Sequence, residues 1–200
     1  MRPAVFLDRD GTINEDVGYL DRLERLTLFP WSIDAVRLLN SAGFCVVVVT
    51  NQGGVATGFI SERFVYAVHD VLTERFRRGG ARIERFYHCP HDPHASIEQY
   101  RRDCICRKPR PGLVLQAVDD LGLDPTRSFV VGDKWSDVAV ADSIGATGIL
   151  VKTGYGASQA ERSKRPRDVI VTADLMAATV RILEQRPDPA TREPRGRSLP

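Results

Sequence analysis

Two carboxylates stand two residues apart near the start of the chain. Asp8 and Asp10 belong to the segment Asp-Arg-Asp-Gly-Thr, which directly follows a short apolar run. Side chains two apart on an extended segment point the same way, so both carboxylates can face one site. Acids held this close repel each other unless a cation or a shared proton lies between them. The spacing predicts a metal-binding or acid–base pair, and a turn with two solvated acids is the alternative.

A second acidic segment follows a later apolar run. Asp133 and Asp137 flank Lys134 in the sequence Gly-Asp-Lys-Trp-Ser-Asp. A Mg²⁺ site in proteins is commonly built from a few carboxylates together with substrate phosphate. The two acidic segments together therefore predict a magnesium site. A solvated turn in which Asp137 caps a helix is the alternative.

Two further segments have the chemistry of a phosphate site. Thr50 ends a valine-rich run and is followed by Asn-Gln-Gly-Gly, which offers a hydroxyl and backbone N–H groups to phosphate oxygens. Lys108, in Arg-Lys-Pro, is a compact charge that can neutralise phosphoryl oxygens. Each signal is weak alone, because turns and solvated basic patches have similar compositions.

Three thiols and one imidazole lie close together within residues 88–110, a polar stretch without clear periodicity. Such a set suffices for a closed tetrahedral zinc site, and a bound ion would give this long segment a shape. We therefore predict a structural zinc site, with unconnected thiols in a loop as the alternative. The predicted ligands are Cys89, His91, Cys104 and Cys106.

The nearby histidines and the remaining cysteine receive other interpretations. His88 and His94 are spare candidates for the zinc site, and we expect both to be solvated. Cys45 lies inside the valine-rich run, so we expect it to be a core thiol.

Short apolar runs and helical periodicity alternate along the chain, and this alternation positions the chemical segments. Helical segments end at Gly43, Gly79, Gly122 and Gly145. Alternation of this kind predicts an α/β fold with a doubly wound parallel sheet, whose ligand sites lie at the carboxyl ends of the strands. The predicted strands are Ala4–Leu7, Phe44–Val49, Ser128–Val131, Gly148–Val151 and Val169–Val171.

Composition excludes several classes of function. Lys and Arg number 28 against 26 for Asp and Glu, and a net charge of +2 argues against nucleic acid binding. No apolar run is long enough to cross a membrane, and Asp8 comes too early for a signal peptide. We expect a cytoplasmic protein with one domain over residues 1–185. The Arg/Pro-rich tail, residues 186–200, is expected to be disordered.

The four segments, in this order, resemble the motifs of the haloacid dehalogenase (HAD) superfamily of phosphatases over about residues 4–185. The resemblance implies a Rossmann-like sheet with a short zinc-bound loop and no large cap domain. It implies that Asp8 is the nucleophile and Asp10 the general acid/base. Thr50 and Lys108 would hold the transferring phosphoryl group.

The same resemblance implies the magnesium ligands. Asp8, the backbone carbonyl of Asp10 and the carboxylate of Asp133 would bind Mg²⁺, and Asp137 would bind or orient it. A carboxylate nucleophile splits hydrolysis into formation and breakdown of an aspartyl-phosphate. Metal and lysine charges stabilise the phosphoryl oxygens during the transfer.

With its Cys/His insert, the chain is similar to the D-glycero-D-manno-heptose 1,7-bisphosphate 7-phosphatase family. The matching segments are FLDRDGTIN, VVVVTNQ, YHCPHDP, CICRKP and VGDK. The resemblance implies a monomeric cytoplasmic enzyme that acts on a small sugar bisphosphate in lipopolysaccharide precursor synthesis. It implies a substrate pocket lined by Asp16, Val17, Gly18, Tyr19, Thr50, Asn51, Gln52, Gly53, Arg107, Lys108 and Lys134. Arg107 and Lys134 are surplus cations that indicate a second phosphate on the substrate.

Two other readings stay open on the sequence. Histidinol-phosphate phosphatases share the DRDGT and zinc patterns but tend to have an acidic residue after TNQ, where this chain has Gly53. The heptose family commonly has Ser there, so a hydroxyl contact is in doubt while a backbone N–H remains. A catalytically silent zinc-binding interaction module is disfavoured by the intact set of Asp8, Asp10, Lys108 and Asp133. The sequence does not decide which anomer of the bisphosphate is preferred.

Overall fold

Parallel strands form a single sheet in the computed structural model, which describes residues 1–161 and 169–185. Within those residues the sheet has six strands in the order β3-β2-β1-β4-β5-β6. The strands are β1 (Arg2–Leu7), β2 (Cys45–Asn51), β3 (Arg85–Cys89), β4 (Leu123–Gly132), β5 (Thr147–Val151) and β6 (Ile170–Thr172). The order reverses at β1, so the doubly wound sheet predicted from the sequence is confirmed.

Helices connect these strands. The described part of the chain has α1 (Ser32–Ser41), α2 (Gly53–Ala56), α3 (Glu62–Arg78), α4 (Gly112–Leu121), α5 (Trp135–Ile144), α6 (Gly156–Ala160) and α7 (Leu175–Glu184). The Ser61 side chain caps α3 by accepting a hydrogen bond from the Phe64 amide. Gly122 and Gly145 end α4 and α5 in the left-handed conformation, which glycine adopts without steric cost.

Two apolar clusters cover the two faces of the sheet. Val46 and Val48 of β2 belong to one cluster, whereas Val47 and Val49 belong to the other. Each strand residue points to the face opposite its neighbour, so a central strand covered on both faces has to be apolar throughout. This explains the uninterrupted valine run.

The structure corrects the sequence interpretation at the Cys/His segment. The predicted irregular stretch, residues 88–110, begins inside β3, a strand that the sequence analysis missed. His88 pairs with Thr50 of β2, and Cys89 pairs with Asn51. Only part of this stretch is therefore loop, and the first thiol is delivered by the sheet. Helices α2, α6 and α7 were not predicted either.

The strand ends bring the chemical segments to one edge of the sheet. Leu7 of β1 pairs with Val48 of β2 and Val131 of β4. The Asp8 amide donates a 2.9 Å hydrogen bond to the Val131 carbonyl, which carries this register one residue beyond β1. No large cap interrupts the described residues. None of their helices is long and apolar enough to cross a membrane. The predicted disordered tail, residues 186–200, lies outside the described residues.

Candidate active site

Three buried carboxylates meet at the carboxyl edge of the sheet. Asp8 follows β1, Asp133 follows β4, and Asp137 lies in the first turn of α5. One oxygen of each lies within 4.8 Å of the others. Like charges held this close, away from water, are stable only with a compensating cation or a shared proton between them.

Lys108 supplies one such charge. Its ammonium lies 2.8 Å from Asp8 Oδ1 and 2.9 Å from Asp137 Oδ1, and it donates to the Val49 carbonyl at 2.7 Å. Burial opposes the charge, but the two carboxylates outweigh it and raise the pKa of Lys108. Lys108 therefore stays protonated beside the predicted nucleophile.

Asp133 retains an oxygen that is free to bind a cation. The Tyr155 amide donates to Oδ2 at 2.8 Å, whereas Oδ1 is buried without a hydrogen-bond partner among the described residues. Burial and the nearby Asp8 carboxylate raise the pKa of Asp133 to about 7. Close packing fixes this carboxylate, because a Cβ added to Gly11 or Gly154 would collide with Oδ2.

Asp10 lies in the same cleft but has different partners. The Arg9 guanidinium donates to both of its oxygens, at 3.1 and 2.7 Å. Asn14 Nδ2 donates to Oδ1 at 2.9 Å, and Gln52 Nε2 donates to Oδ2 at 3.0 Å. Burial raises the pKa of Asp10, but Arg9 and these donors outweigh it, so that the pKa is lowered overall. Asp10 is thus held as a carboxylate in the free protein.

The segment after β2 positions other residues of the cleft. Asn51 Oδ1 accepts from the Lys108 amide at 3.0 Å, and its Nδ2 donates to the Lys108 carbonyl at 3.1 Å. Gln52 Nε2 also donates to Thr50 Oγ1 at 3.0 Å. The side-chain amides of Asn51 and Gln52, two residues predicted to contact substrate, therefore hold Lys108, Asp10 and Thr50 in place.

A cleft of about 620 Å³ opens above these groups. Ten of the eleven residues predicted to line the substrate pocket line this cleft: Asp16, Gly18, Tyr19, Thr50, Asn51, Gln52, Gly53, Arg107, Lys108 and Lys134. The exception is Val17, which packs against the apolar cluster that contains Val46 and Val48, and whose carbonyl accepts a hydrogen bond from Arg25.

The two cations at the mouth of the cleft are paired with carboxylates. Arg107 lies 2.9 Å from Asp92 Oδ2 and donates to the His91 carbonyl at 2.9 Å. Lys134 Nζ lies 3.2 Å from Asp16 Oδ2 and 3.9 Å from Asp133 Oδ1. Each of the two cations predicted to meet a second phosphate thus has an anionic partner in the free protein. Part of their charge is therefore neutralised before substrate arrives.

The predicted zinc ligands converge beside the cleft. Cys106 Sγ lies 3.0 Å from Cys89 Sγ, 3.1 Å from Cys104 Sγ and 3.2 Å from His91 Nδ1. The three cysteines are free thiols. Two sulfurs on one tetrahedral zinc, at about 2.3 Å each, lie about 3.8 Å apart. The cluster is slightly tighter than that, so small outward shifts would accommodate the ion.

His88 is not solvated, contrary to the expectation from the sequence. Its side chain is 7% exposed, and Nε2 lies 3.0 Å from Glu62 Oε1. Glu62 Oε2 accepts a hydrogen bond from the Tyr100 hydroxyl at 3.1 Å. This carboxylate therefore joins α3 both to β3 and to the loop between Cys89 and Cys104. His94 is exposed and Cys45 is buried, as predicted.

The sequence analysis missed Arg9, Asn14 and Tyr155. Arg9 and Asn14 lie inside the FLDRDGTIN segment, so their position beside Asp10 was a usable signal. Tyr155 follows β5, and its approach to Asp133 depends on the turn at Gly154, which no local pattern indicated.

Both clusters have the donor set of a metal site. The buried, unpartnered oxygen of Asp133 and two neighbouring carboxylates are hard oxygen ligands, which suit Mg²⁺. The thiols and the imidazole suit Zn²⁺.

A parallel sheet whose strand order reverses at β1, with a buried carboxylate cluster bridged by a lysine at its carboxyl edge, defines a hydrolase of the HAD class. The sequence matches the HAD-hydrolase-like family over residues 105–178. It is also 44% identical over 158 residues to the D-glycero-beta-D-manno-heptose-1,7-bisphosphate 7-phosphatase of Escherichia coli K12, which covers 76% of this chain and 80% of that protein. The chain belongs to the heptose-1,7-bisphosphate 7-phosphatase family, which confirms the resemblance drawn from its motifs.

Two further comparisons agree with this assignment. The protein of the same name from Yersinia pestis is 41% identical over 154 residues, covering 76% of this chain and 81% of that protein. The solved structure of the D,D-heptose 1,7-bisphosphate phosphatase from B. bronchiseptica, complexed with magnesium and phosphate, superposes with a TM-score of 0.82. It is 29% identical and covers 92% of this chain and 99% of its own length.

Proposed function

We propose that this chain removes the 7-phosphate of D-glycero-β-D-manno-heptose 1,7-bisphosphate, in the synthesis of nucleotide-activated heptose for lipopolysaccharide. The observation that carries the proposal is the cluster of Asp8, Asp133 and Asp137, with Lys108 paired to Asp8 and Asp137, at the base of an open cleft. The names of the E. coli and Y. pestis relatives support this substrate and its β anomer.

Asp8 is the nucleophile of the first half-reaction. One of its carboxylate oxygens attacks the phosphorus, and the bond from phosphorus to the C7 oxygen of the sugar breaks. Asp10, a carboxylate in the free protein, takes up a proton as the substrate binds and gives it to that leaving oxygen. Lys108 and the Thr50 hydroxyl stabilise the negative charge of the phosphoryl oxygens, and Lys108 is already fixed 2.8 Å from Asp8.

Water completes the second half-reaction. Asp10, now a carboxylate, removes a proton from water, and the hydroxide attacks the aspartyl-phosphate to release phosphate and restore Asp8. The ion pair with Arg9 favours this carboxylate form, because it lowers the pKa of Asp10. Asn14 and Gln52 hold the same carboxylate over the cleft.

Two different metals support these steps. Asp8, Asp133 and the backbone carbonyl of Asp10 hold Mg²⁺, and Asp137 orients the ion or binds it. Mg²⁺, when bound, supplies positive charge that neutralises phosphoryl oxygens during the transfer. Cys89, His91, Cys104 and Cys106 hold a structural Zn²⁺.

The second phosphate of the substrate binds at the mouth of the cleft. Arg107 and Lys134 face it, and ion pairs with Asp92 and Asp16 hold the two side chains at the rim. An arginine can grip a phosphate through two parallel charge-assisted hydrogen bonds. We further propose that residues 1–185 form one phosphatase domain, which acts as a monomer in the cytoplasm.

A panel of substrates tests this function. Purified protein with Mg²⁺ is assayed for phosphate release from both anomers of the heptose bisphosphate, from fructose 1,6-bisphosphate and from histidinol phosphate. We expect the highest kcat/KM for the β anomer, with Asp8→Asn as the inactive control. A higher kcat/KM for histidinol phosphate would assign the chain to histidine synthesis instead. Gly53, where that family tends to have an acid, disfavours this alternative.

A further inference from the structure

The loop after β5 is held against the carboxylate site by hydrogen bonds from the Thr153 hydroxyl and the Tyr155 amide. Thr153 Oγ1 donates to the Gly11 carbonyl at 2.6 Å, and the Tyr155 amide donates to Asp133 Oδ2 at 2.8 Å. The Gly156 amide closes the turn on the Thr153 carbonyl at 2.8 Å. The Cα atom of Tyr155 therefore has a fixed position relative to Asp133.

The ring of Tyr155 extends from this fixed backbone into the wall of the cleft. The residue lines the cleft and is 49% exposed. The ammonium of Lys134 lies 4.6 Å from the centroid of the ring. A cation over an aromatic face at this distance is attracted by the quadrupole of the ring.

Lys134 needs such a contact to keep a defined position. Its side chain is 37% exposed and flexible, so holding it in one rotamer costs conformational entropy. Its anionic neighbours are Asp16 at 3.2 Å and Asp133 at 3.9 Å. A metal ion bound at the carboxylates would neutralise the charge of Asp133. Asp16 and the Tyr155 ring would then be the groups that hold Lys134 in place.

We propose that Tyr155 is a positioning residue, whose ring holds Lys134 at the mouth of the cleft so that its ammonium meets the second phosphate of the substrate. Tyr155 acts on specificity through Lys134, and the chemistry at Asp8 does not depend on the ring. This inference rests on the proposed function, because it requires a substrate with two phosphates.

Kinetics of single variants, and of one double variant, test the inference. Tyr155→Leu removes the ring but keeps the amide that binds Asp133, and Tyr155→Phe keeps an aromatic face. The substrates are the heptose 1,7-bisphosphate and the heptose 7-phosphate, which differ only in the second phosphate. We expect Tyr155→Leu to raise KM for the bisphosphate about 3- to 10-fold with little change in kcat. Tyr155→Phe is expected to match the original protein on both substrates.

Lys134→Met supplies the matched control. In this background Tyr155→Leu should have no additional effect on KM, because the group that the ring positions is gone. A full effect of Tyr155→Leu in the Lys134→Met background would overturn the inference, since the ring would then contact the substrate directly. Equal losses on bisphosphate and monophosphate, or a loss confined to kcat, would overturn it as well.

A binding measurement adds a readout that does not depend on turnover. Calorimetric titration of the bisphosphate into Asp8→Asn protein, with and without Tyr155→Leu, should show the same 3- to 10-fold loss of affinity. Failure of the proposed function has a different signature. The original protein would then hydrolyse the bisphosphate no better than the 7-phosphate, whatever residue stands at position 155.

Discussion

The carboxylate cluster and the Cys/His cluster differ in what holds their ligands together. Asp8, Asp133 and Asp137 are buried and come from the ends of adjacent strands and the start of α5, and two of them, Asp8 and Asp137, already pair with Lys108. In the Cys/His cluster only Cys89 comes from a strand. The remaining ligands lie on a partly exposed segment with little regular structure.

This difference separates the roles of the two clusters. The fold builds the carboxylate site, so losing a ligand there should impair chemistry while the protein stays folded. In the proposed function, zinc on the Cys/His cluster ties a long loop to the sheet, so losing one of its four ligands should cost order in the loop. Arg107 joins the two regions, because it is adjacent to Cys106 and its guanidinium is held by the His91 carbonyl.

The largest expected effect is at Asp8. Asp8→Asn removes the proposed nucleophile and should abolish turnover, whereas Asp10→Asn should slow turnover by roughly 10²–10⁴-fold, the usual contribution of general acid–base catalysis. Both proteins should unfold at nearly the original temperature, measured by circular dichroism. Near-original activity of Asp8→Asn with Mg²⁺ would refute the assignment of the nucleophile.

Arg107 tests the junction between the two regions. Arg107→Ala should raise KM for the bisphosphate roughly 10- to 100-fold, because a charge-assisted contact contributes about 1.5–3 kcal/mol. KM for the 7-phosphate should change far less. Arg107→Lys keeps the charge but not the paired donors, so its KM for the bisphosphate should lie between those of the original protein and Arg107→Ala. If both substrates lose equally, Arg107 serves the reacting phosphate or the fold.

A smaller effect is expected at His69 of α3, whose ring stacks on Phe86 of β3. Burial, with a contribution from Arg9, lowers the pKa of His69 to about 3. Below pH 6.5 the unfolded chain binds a proton that the folded chain does not, so stability falls as the pH drops towards 3. At pH 5 this loss is about 2 kcal/mol.

His69→Phe keeps an aromatic ring at this position and removes the titration. Urea unfolding at pH 7.5 and pH 5 should show a smaller loss of stability in this variant than in the original protein. His94→Phe is the control, because His94 is exposed. An unchanged pH dependence in His69→Phe would show that other groups cause the acid sensitivity.

The sequence predicted best what a short segment encodes. The valine run of β2, the glycine ends of α4 and α5, and the acids after β1 and β4 are local patterns, and each was found where expected. The four Cys/His ligands were also predictable, because their residue types are unusual and close in sequence.

Contacts between distant segments were not predictable. β3 was missed because its residues, Arg-Phe-Tyr-His-Cys, lack an apolar run, and it forms as an edge strand by pairing with β2. The burial of His88 follows from that pairing and from Glu62, which lies 26 residues earlier. Likewise, nothing local pointed to Asp92 and Asp16 as the partners of Arg107 and Lys134.

Metal analysis combined with thermal unfolding tests the contrast between the two clusters most directly. We predict that the purified protein holds about one zinc ion per chain. Removing the zinc should lower the unfolding temperature, and Mg²⁺ should not restore it, whereas Mg²⁺ alone should control turnover of the zinc-loaded protein. Cys104→Ser should behave like the zinc-depleted protein. A zinc-free protein with unchanged unfolding temperature and full activity in Mg²⁺ would contradict the account.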